Sequence, residues 1–403
     1  MRVRMALLIV LAAGAIAGAR QGGGTSRTPA RGPLPANIPV GSAVRSADFI
    51  YVAGTLAIGA AGALVAGDVR AQTKQVLENI SVIVARAGSD MSRAASVTVY
   101  LKRSADFAAM NEVYRKYWPV DPPARTTVIT NLIVPEALVE ISMIAIHRRG
   151  ERRVIHPAGW MKSANPYSYG IKSGDTLFLA GLISRSGRDN SPVAGDMGAQ
   201  TRAALDNAGE ILTAAGMTYG DVVSSRVYIT DAAAFQDMNA AYRPYFPVDP
   251  PARATVRTGL TAPEYLVETT LTAVKGPERV AVTTPDADGT AGRPNPSFSS
   301  AIRVGNRLYL SGMLGNTDSN KGDAAAQTRE TMARLGRTLK AAGFEWDDVV
   351  DGVVYLPNVR DFAAMNESYR PFFSVAFPAR TTVDAGLISP DSLVEIMLTA
   401  VRW

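Results

Sequence analysis

The sequence predicts an α+β protein: three tandem copies of one ββαβαββ domain, closing on one another as a pseudotrimer within a single chain. Three observations predict it. Landmark residues recur at a constant step: Gln72-Thr73, Gln200-Thr201 and Gln327-Thr328; Met110-Asn111, Met238-Asn239 and Met365-Asn366; and the Arg of a Pro-Ala-Arg triplet at 125, 253 and 380. Each set steps by 128 and then 127 residues, which is a domain copied whole rather than a solenoid unit. Between copies the composition turns to linker type, as in TTPDADGTAGRPNP from Thr283 to Pro296, and every copy repeats the same alternation of β-rich and amphipathic stretches. The repeats are placed at 37–147, 159–274 and 294–403.

Within a repeat the elements follow in order. DFIYVAGTL (Asp48–Leu56) is a β-rich run ending near a Gly, matched by TLFLAGLI and RLYLSGML, with a weaker strand before it. Val69, Thr73, Val76, Leu77, Ile80, Ile83 and Val84 fall at helical spacing, and Gly88 stops that helix. Ala95–Leu101 is a strand, and Ser104–Trp118 is a second helix with Ser104 as its N-cap. ARTTVITNL and ALVEISMIAI are the last two strands, joined by a short Pro-containing loop. Helices covering one sheet face leave the other face to bury. Three copies joined by short linkers satisfy that need by closing a ring of heterologous contacts.

The N-terminus carries a separate signal. Arg2 and Arg4 precede an apolar run from Met5 to about Ala17, followed by small residues, in the pattern of a cleaved secretory signal over residues 1–19. The run falls short of the ~20 residues of a spanning helix, so export to a bacterial periplasm or beyond is expected, with no membrane attachment after cleavage. Residues 20–36 read as a flexible lead-in. The chain has no Cys, which excludes disulfides, a thiol nucleophile and a thiolate metal site. Its net charge of +6 is spread thinly apart from RRGERR (Arg148–Arg153), so no nucleic-acid partner is expected. His147 and His156 do not recur and are assigned no role.

The combination of AG or SG, QT, F..MN..Y, PAR..V and L…VEI, present three times, resembles the RidA/YjgF family of enamine/imine deaminases, formerly labelled endoribonuclease L-PSP. The resemblance covers essentially the whole chain after the lead-in. It implies a chorismate-mutase-like fold, ligand pockets between repeats, and hydrolysis of small 2-imino acids of the 2-iminobutanoate and 2-iminopropanoate type to ammonia and a 2-keto acid. No metal or cofactor is implied. Arg125, Arg253 and Arg380 match the family's carboxylate clamp, a role suited to a forked guanidinium that stays charged. Glu140, Glu268 and Glu395 each stand fifteen residues after the Arg and match its water-positioning acid. The Arg and Glu of one copy are expected at one end of a pocket, on two adjacent antiparallel strands. Asn111, Asn239 and Asn366, and Gly54, Gly181 and Gly312, match further pocket positions. The QT pairs read as helix padding, and the aromatic stripe of the second helix reads as core.

The copies also depart from the family. The ring that closes over substrate matches Tyr167 and Phe298, but Val40 in the first repeat. The residue before the Gly, usually Ser, is Ala53, Ala180 and Ser311, and the family's Cys is replaced by Thr127, Thr255 and Thr382. The three pockets are therefore expected to be unequal, with the Tyr167 pocket nearest the family pattern. Two other readings stay open: an exported binding protein for small carboxylates without turnover, and an RNA-binding protein or nuclease.

Overall fold

The computed structural model describes residues 26–28, 38–374 and 376–402. The expected signal segment lies outside them, as does the lead-in except for Ser26–Thr28, a short strand paired with Ala43–Arg45. Among the described residues no helix is long and apolar enough to cross a membrane.

Each repeat contributes two helices: α1 (Val69–Arg86) and α2 (Phe107–Tyr117), α3 (Met197–Ala214) and α4 (Phe235–Tyr242), α5 (Ala324–Ala342) and α6 (Phe362–Tyr369). The long helices start alike. The carboxylates of Asp68, Asp196 and Asp323 accept from the N–H of Ala71, Ala199 and Ala326, satisfying donors that the helix itself leaves free. They also end alike, against Gly88, Gly216 and Gly343 at φ of 91°, 72° and 79°, a left-handed turn that glycine takes without steric cost. The shorter helices are each preceded by a 3-10 turn. In the second and third repeats Asp231 and Asn358 cap that turn, accepting from the N–H of Ala233 and Arg360. In the first repeat the expected cap fails: Ser104 lies inside the turn, whose N-cap is Arg103, with no side-chain bond.

The sheet of the first repeat runs Ala43–Arg45, Phe49–Thr55, Val139–Ile146, Ala94–Leu101, Ala124–Ile129, antiparallel except for the last pair, which is parallel. The other two sheets repeat this order. One face is covered by the repeat's own helices, as where Val76, Leu77, Ile80, Met110 and Tyr114 pack on Ile50, Val97 and Ile141. Each such fully buried side chain contributes roughly 1.5–3 kcal/mol. Ile83, expected in this core, is only half-buried.

The opposite faces meet one another. Tyr100 and Val128, Tyr228 and Val256, and Tyr355 and Val383 form one buried cluster drawn from all three repeats. Strand edges seal it: Ile129 and Gly259 exchange backbone hydrogen bonds of 2.9 and 2.8 Å, and Gly386–Leu387 of the third repeat pairs with the second repeat's strand at Val256 and Arg257. Arg307 bonds Asp175 at 2.8 Å and Asp48 at 2.9 Å, so one side chain ties the three repeats together. The single-chain pseudotrimer predicted from the repeats is the observed fold.

Candidate active sites at the three seams

The Arg-bearing strands (Ala124–Ile129, Ala252–Arg257, Ala379–Asp384) lie at the far side of each sheet, and the Glu-bearing strands (Val139–Ile146, Val267–Val274, Glu395–Val401) lie two positions away. The strand from Ala94 to Leu101, or its counterpart, stands between them. The expectation of adjacent antiparallel strands is therefore corrected. Arg and Glu of one repeat do not share a site; each Arg faces the Glu of a different repeat.

Arg125 of the first repeat is paired electrostatically with Glu268 of the second, Arg253 with Glu395 of the third, and Arg380 with Glu140 of the first. Backbone contacts fix each seam. Gly181 N–H donates to the Arg125 carbonyl and Gly312 N–H to that of Arg253, both at 3.1 Å, and Gly41 N–H donates to Pro378 at 2.9 Å. The Glu268 carboxyl also accepts from Thr127 N–H at 3.3 Å. Gly54, Gly181 and Gly312 lie so close to the facing carboxyl that a Cβ would collide with Oε1 of Glu140, Glu268 and Glu395 respectively. This close approach requires glycine.

All six ionisable residues are buried: Arg125, Arg253 and Arg380 are 5, 3 and 4 % exposed, and Glu140, Glu268 and Glu395 are 5, 4 and 5 % exposed. They are not surface ion pairs, for which such burial would be a large cost. Among the described residues, none of the three guanidiniums makes ion-pair contact with its facing carboxyl. Each is held instead by a neutral acceptor of its own repeat. Asn111, Asn239 and Asn366 present Oδ1 at 2.7, 2.7 and 2.6 Å. Each guanidinium also lies over two rings of the short helix, Tyr114, Tyr242 or Tyr369 at 4.7–4.8 Å and Phe107, Phe235 or Phe362 at 5.6–6.0 Å. Arg253 Nη1 and Arg380 Nε remain buried without a hydrogen-bond partner. Such orphaned donors are costly unless a ligand satisfies them.

A third ring reaches two of the guanidiniums from the facing repeat: Tyr167 lies 6.0 Å from Arg125 and Phe298 lies 5.6 Å from Arg253. The Arg380 site has the aliphatic Val40 at that position. The expected inequality of the walls is thus present in the geometry. The hydroxyls of Thr127 and Thr255, where the resemblance places Cys, are buried and unbonded.

The QT glutamines have a positioning task that sequence reasoning did not give them. Gln72, Gln200 and Gln327 accept through Oε1 from the N–H of Leu138, Leu266 and Leu393 at 2.8, 2.9 and 2.8 Å. Those leucines stand two residues before Glu140, Glu268 and Glu395, so each glutamine locks the entry to a Glu strand onto the long helix.

Burial raises the carboxyls of Glu140, Glu268 and Glu395 to about 8, and the facing Arg lowers each of them only in part. The consequence for stability has a definite sign. The folded state keeps these protons where the unfolded chain has lost them, so their contribution is fully present below about pH 4.5 and is lost as pH rises to about 8. The denaturant midpoint is expected to fall across that window. The triple variant Glu140→Gln/Glu268→Gln/Glu395→Gln should show a flatter profile; identical profiles would count against buried, protonated carboxyls.

Comparison with known proteins agrees with the tripled architecture. The family model described as Endoribonuclease L-PSP matches residues 34–147, 159–275 and 290–402. A RutC family protein of Sulfurisphaera tokodaii is 41% identical over 115 residues, 28% of this chain and 92% of that protein. A RutC family protein of Pyrococcus horikoshii is 42% identical over 108 residues, 27% of this chain and 86% of that protein. Among solved structures, a chorismatase shares 16% identity with a TM-score of 0.54, covering 77% of this chain and 93% of its own, a likeness of fold alone. The chain therefore belongs to the Endoribonuclease L-PSP family, the RidA/YjgF proteins, and carries three tandem copies of its domain.

Proposed function

We propose that the protein is a cofactor-independent hydrolytic deaminase of small 2-imino acids. The observation that carries this reading is the threefold recurrence of a buried guanidinium facing, across a seam and without direct contact, a buried carboxyl, whose burial raises its pKa. The guanidinium receives the substrate carboxylate; its planar fork suits a bidentate partner, and its ring stack and Asn bond fix its orientation. The Glu carboxyl then gives its proton to the imine nitrogen, forming an iminium. Its carboxylate orients a water, whose oxygen bonds to the imine carbon while the C=N pair moves to nitrogen and the water's proton returns to Glu. A second protonation, at the amine, breaks the C–N bond; ammonia leaves, the hydroxyl proton goes back to Glu, and a 2-keto acid remains. A neutral carboxyl with a pKa near working pH suits a group that acts first as acid and then as base.

The test is the release of 2-keto acid from freshly generated 2-iminopropanoate and 2-iminobutanoate, with and without the full chain. Acceleration over spontaneous hydrolysis supports the reading. A folded protein that binds 2-keto acids without accelerating release would instead be a carboxylate-binding protein. We further propose export on the pattern of residues 1–19; intact mass should show loss of that segment, and a periplasm-free protein retaining Met1 would overturn it.

A further inference from the structure

Arg226 and Asp351 stand where the three repeats face one another, and neither has a charged counterpart. Ser96, Ser224 and Asp351 hold equivalent positions, as do Thr98, Arg226 and Val353. They lie on the strands Ala94–Leu101, Val222–Ile229 and Val349–Leu356. Alternate residues of a strand share a face, so Tyr100, Tyr228 and Tyr355 come next on the same side. Their hydroxyls are buried without a hydrogen-bond partner. The second repeat thus supplies one guanidinium, and the third one carboxyl, where the other repeats place neutral side chains.

The two charges do not close on each other. Each acts on the other electrostatically, yet among the described residues they form no contact ion pair, and no protein group accepts from the Arg226 guanidinium. Both residues line two small cavities of about 20 and 50 Å³. Ser96, Thr98 and Ser142 add hydroxyls to the smaller, and Ser224, Thr272 and Thr399 to the larger. The first has room for about one water-sized body and the second for a few. Arg226 and Asp351 are half-buried rather than sealed, so small solutes reach them.

We infer that this space between the repeats is a binding site for a small inorganic anion of the chloride class, held by the Arg226 guanidinium and the hydroxyls around it. The site is separate from the three seams and sized for a monatomic ion rather than a 2-keto acid. Guanidinium N–H groups and hydroxyls all donate, and a cation withdrawn from water without a contacting partner is neutralised by such an ion. Asp351 competes with it. Burial raises this carboxyl to about 6, and Arg226 lowers it only in part. The other titratable groups near it, Tyr51, Tyr309 and Tyr100, are phenols that burial keeps neutral. Arg307, beside Tyr309, is already paired with Asp48 and Asp175. A neutral Asp351 leaves the charge of Arg226 to the anion; an ionised one opposes it. Anion affinity is therefore expected to fall about tenfold per pH unit above 6.

The experiment measures broadening of the chloride NMR line by the full chain at pH 5 and pH 8. The guanidiniums at the seams also contribute, so the readout is the part lost in Arg226→Thr, which installs the side chain that Thr98 gives the first repeat. That part should be present at pH 5 and absent at pH 8. Asp351→Ser, the residue of the other two repeats, should keep it at pH 8, where a further Arg226→Thr removes it. A bromide-soaked crystal of Asp351→Ser should show an anomalous peak beside Arg226. Equal broadening by the wild type and a folded Arg226→Thr at pH 5 would overturn the proposal and leave the space to water. An Arg226-dependent part that is the same at pH 5 and pH 8 would overturn the competition by Asp351. If Arg226→Thr does not fold, the bromide peak decides: none beside Arg226 overturns the site.

Discussion

Glu140→Gln/Glu268→Gln/Glu395→Gln is expected to lower kcat for 2-iminopropanoate hydrolysis by about 10²–10⁴-fold while leaving 2-keto acid binding nearly unchanged. The range is that of a positioned group moving protons in the transition state. Gln is nearly isosteric and still accepts from the Thr127 backbone N–H that Glu268 uses, so the site keeps its shape and the neighbouring Gly181 keeps its contact. What Gln lacks is a labile proton. The same substitution decides the order of proton transfers. With the carboxyls at about 8, a group that must first act as an acid gives a kcat/KM that falls above pH 8. A group needed only as a base gives one that rises through pH 8. Either limb should vanish in the Gln variant. A Gln variant with wild-type kcat would remove the carboxyl from the chemistry, and with it the deaminase mechanism proposed for these sites.

Much of this was legible in the sequence because duplication supplied an internal control. The Arg, Glu, Asn and Gly positions recur in step, and the structure gathers all four kinds at each seam. Which Arg meets which Glu was not legible. A fifteen-residue spacing suggested neighbouring strands, but the parallel pairing of Val97 with Arg125 places a whole strand between them. That pairing depends on the crossover of α2, a tertiary outcome that hydrophobic periodicity does not encode. Tyr114, Tyr242 and Tyr369 read as core and do pack in the three helix-face cores; that the same rings lie over the guanidiniums was the part not read. Their position three residues after each Asn was the available signal, since one helical turn brings the ring beside the same guanidinium. Residues that break the threefold pattern escaped for the opposite reason. Arg226 and Asp351, both half-buried, interact between the repeats, yet neither recurs, so repeat logic had nothing to compare.

Arg380→Ala is expected to push the carboxyl of Glu140 further up, although the two residues sit in the last and first repeats. Arg380 is the charge that lowers Glu140, and Glu140 in turn raises Arg380, whose burial still draws it down to about 10. Removing the cation leaves burial unopposed. Glu395 should not follow, because its lowering charge is Arg253. Carboxyl-selective NMR titration of the two residues reads this directly. A shift at Glu395 rather than Glu140 would mean that Arg and Glu work within a repeat, contrary to the seam geometry. The functional consequence is larger. The triple variant Arg125→Ala/Arg253→Ala/Arg380→Ala loses, at every site, two charge-assisted hydrogen bonds each contributing about 1.5–3 kcal/mol, so kcat/KM should fall about 10²–10⁴-fold with the loss seated mainly in KM. Arg→Lys should not restore it. A lysine between the Tyr and Phe rings has no fork to offer both carboxylate oxygens, and burial favours its neutral form. Rescue by lysine would show that the sites need only a positive charge, whereas the planar stack and the Asn bond are built for a guanidinium's geometry.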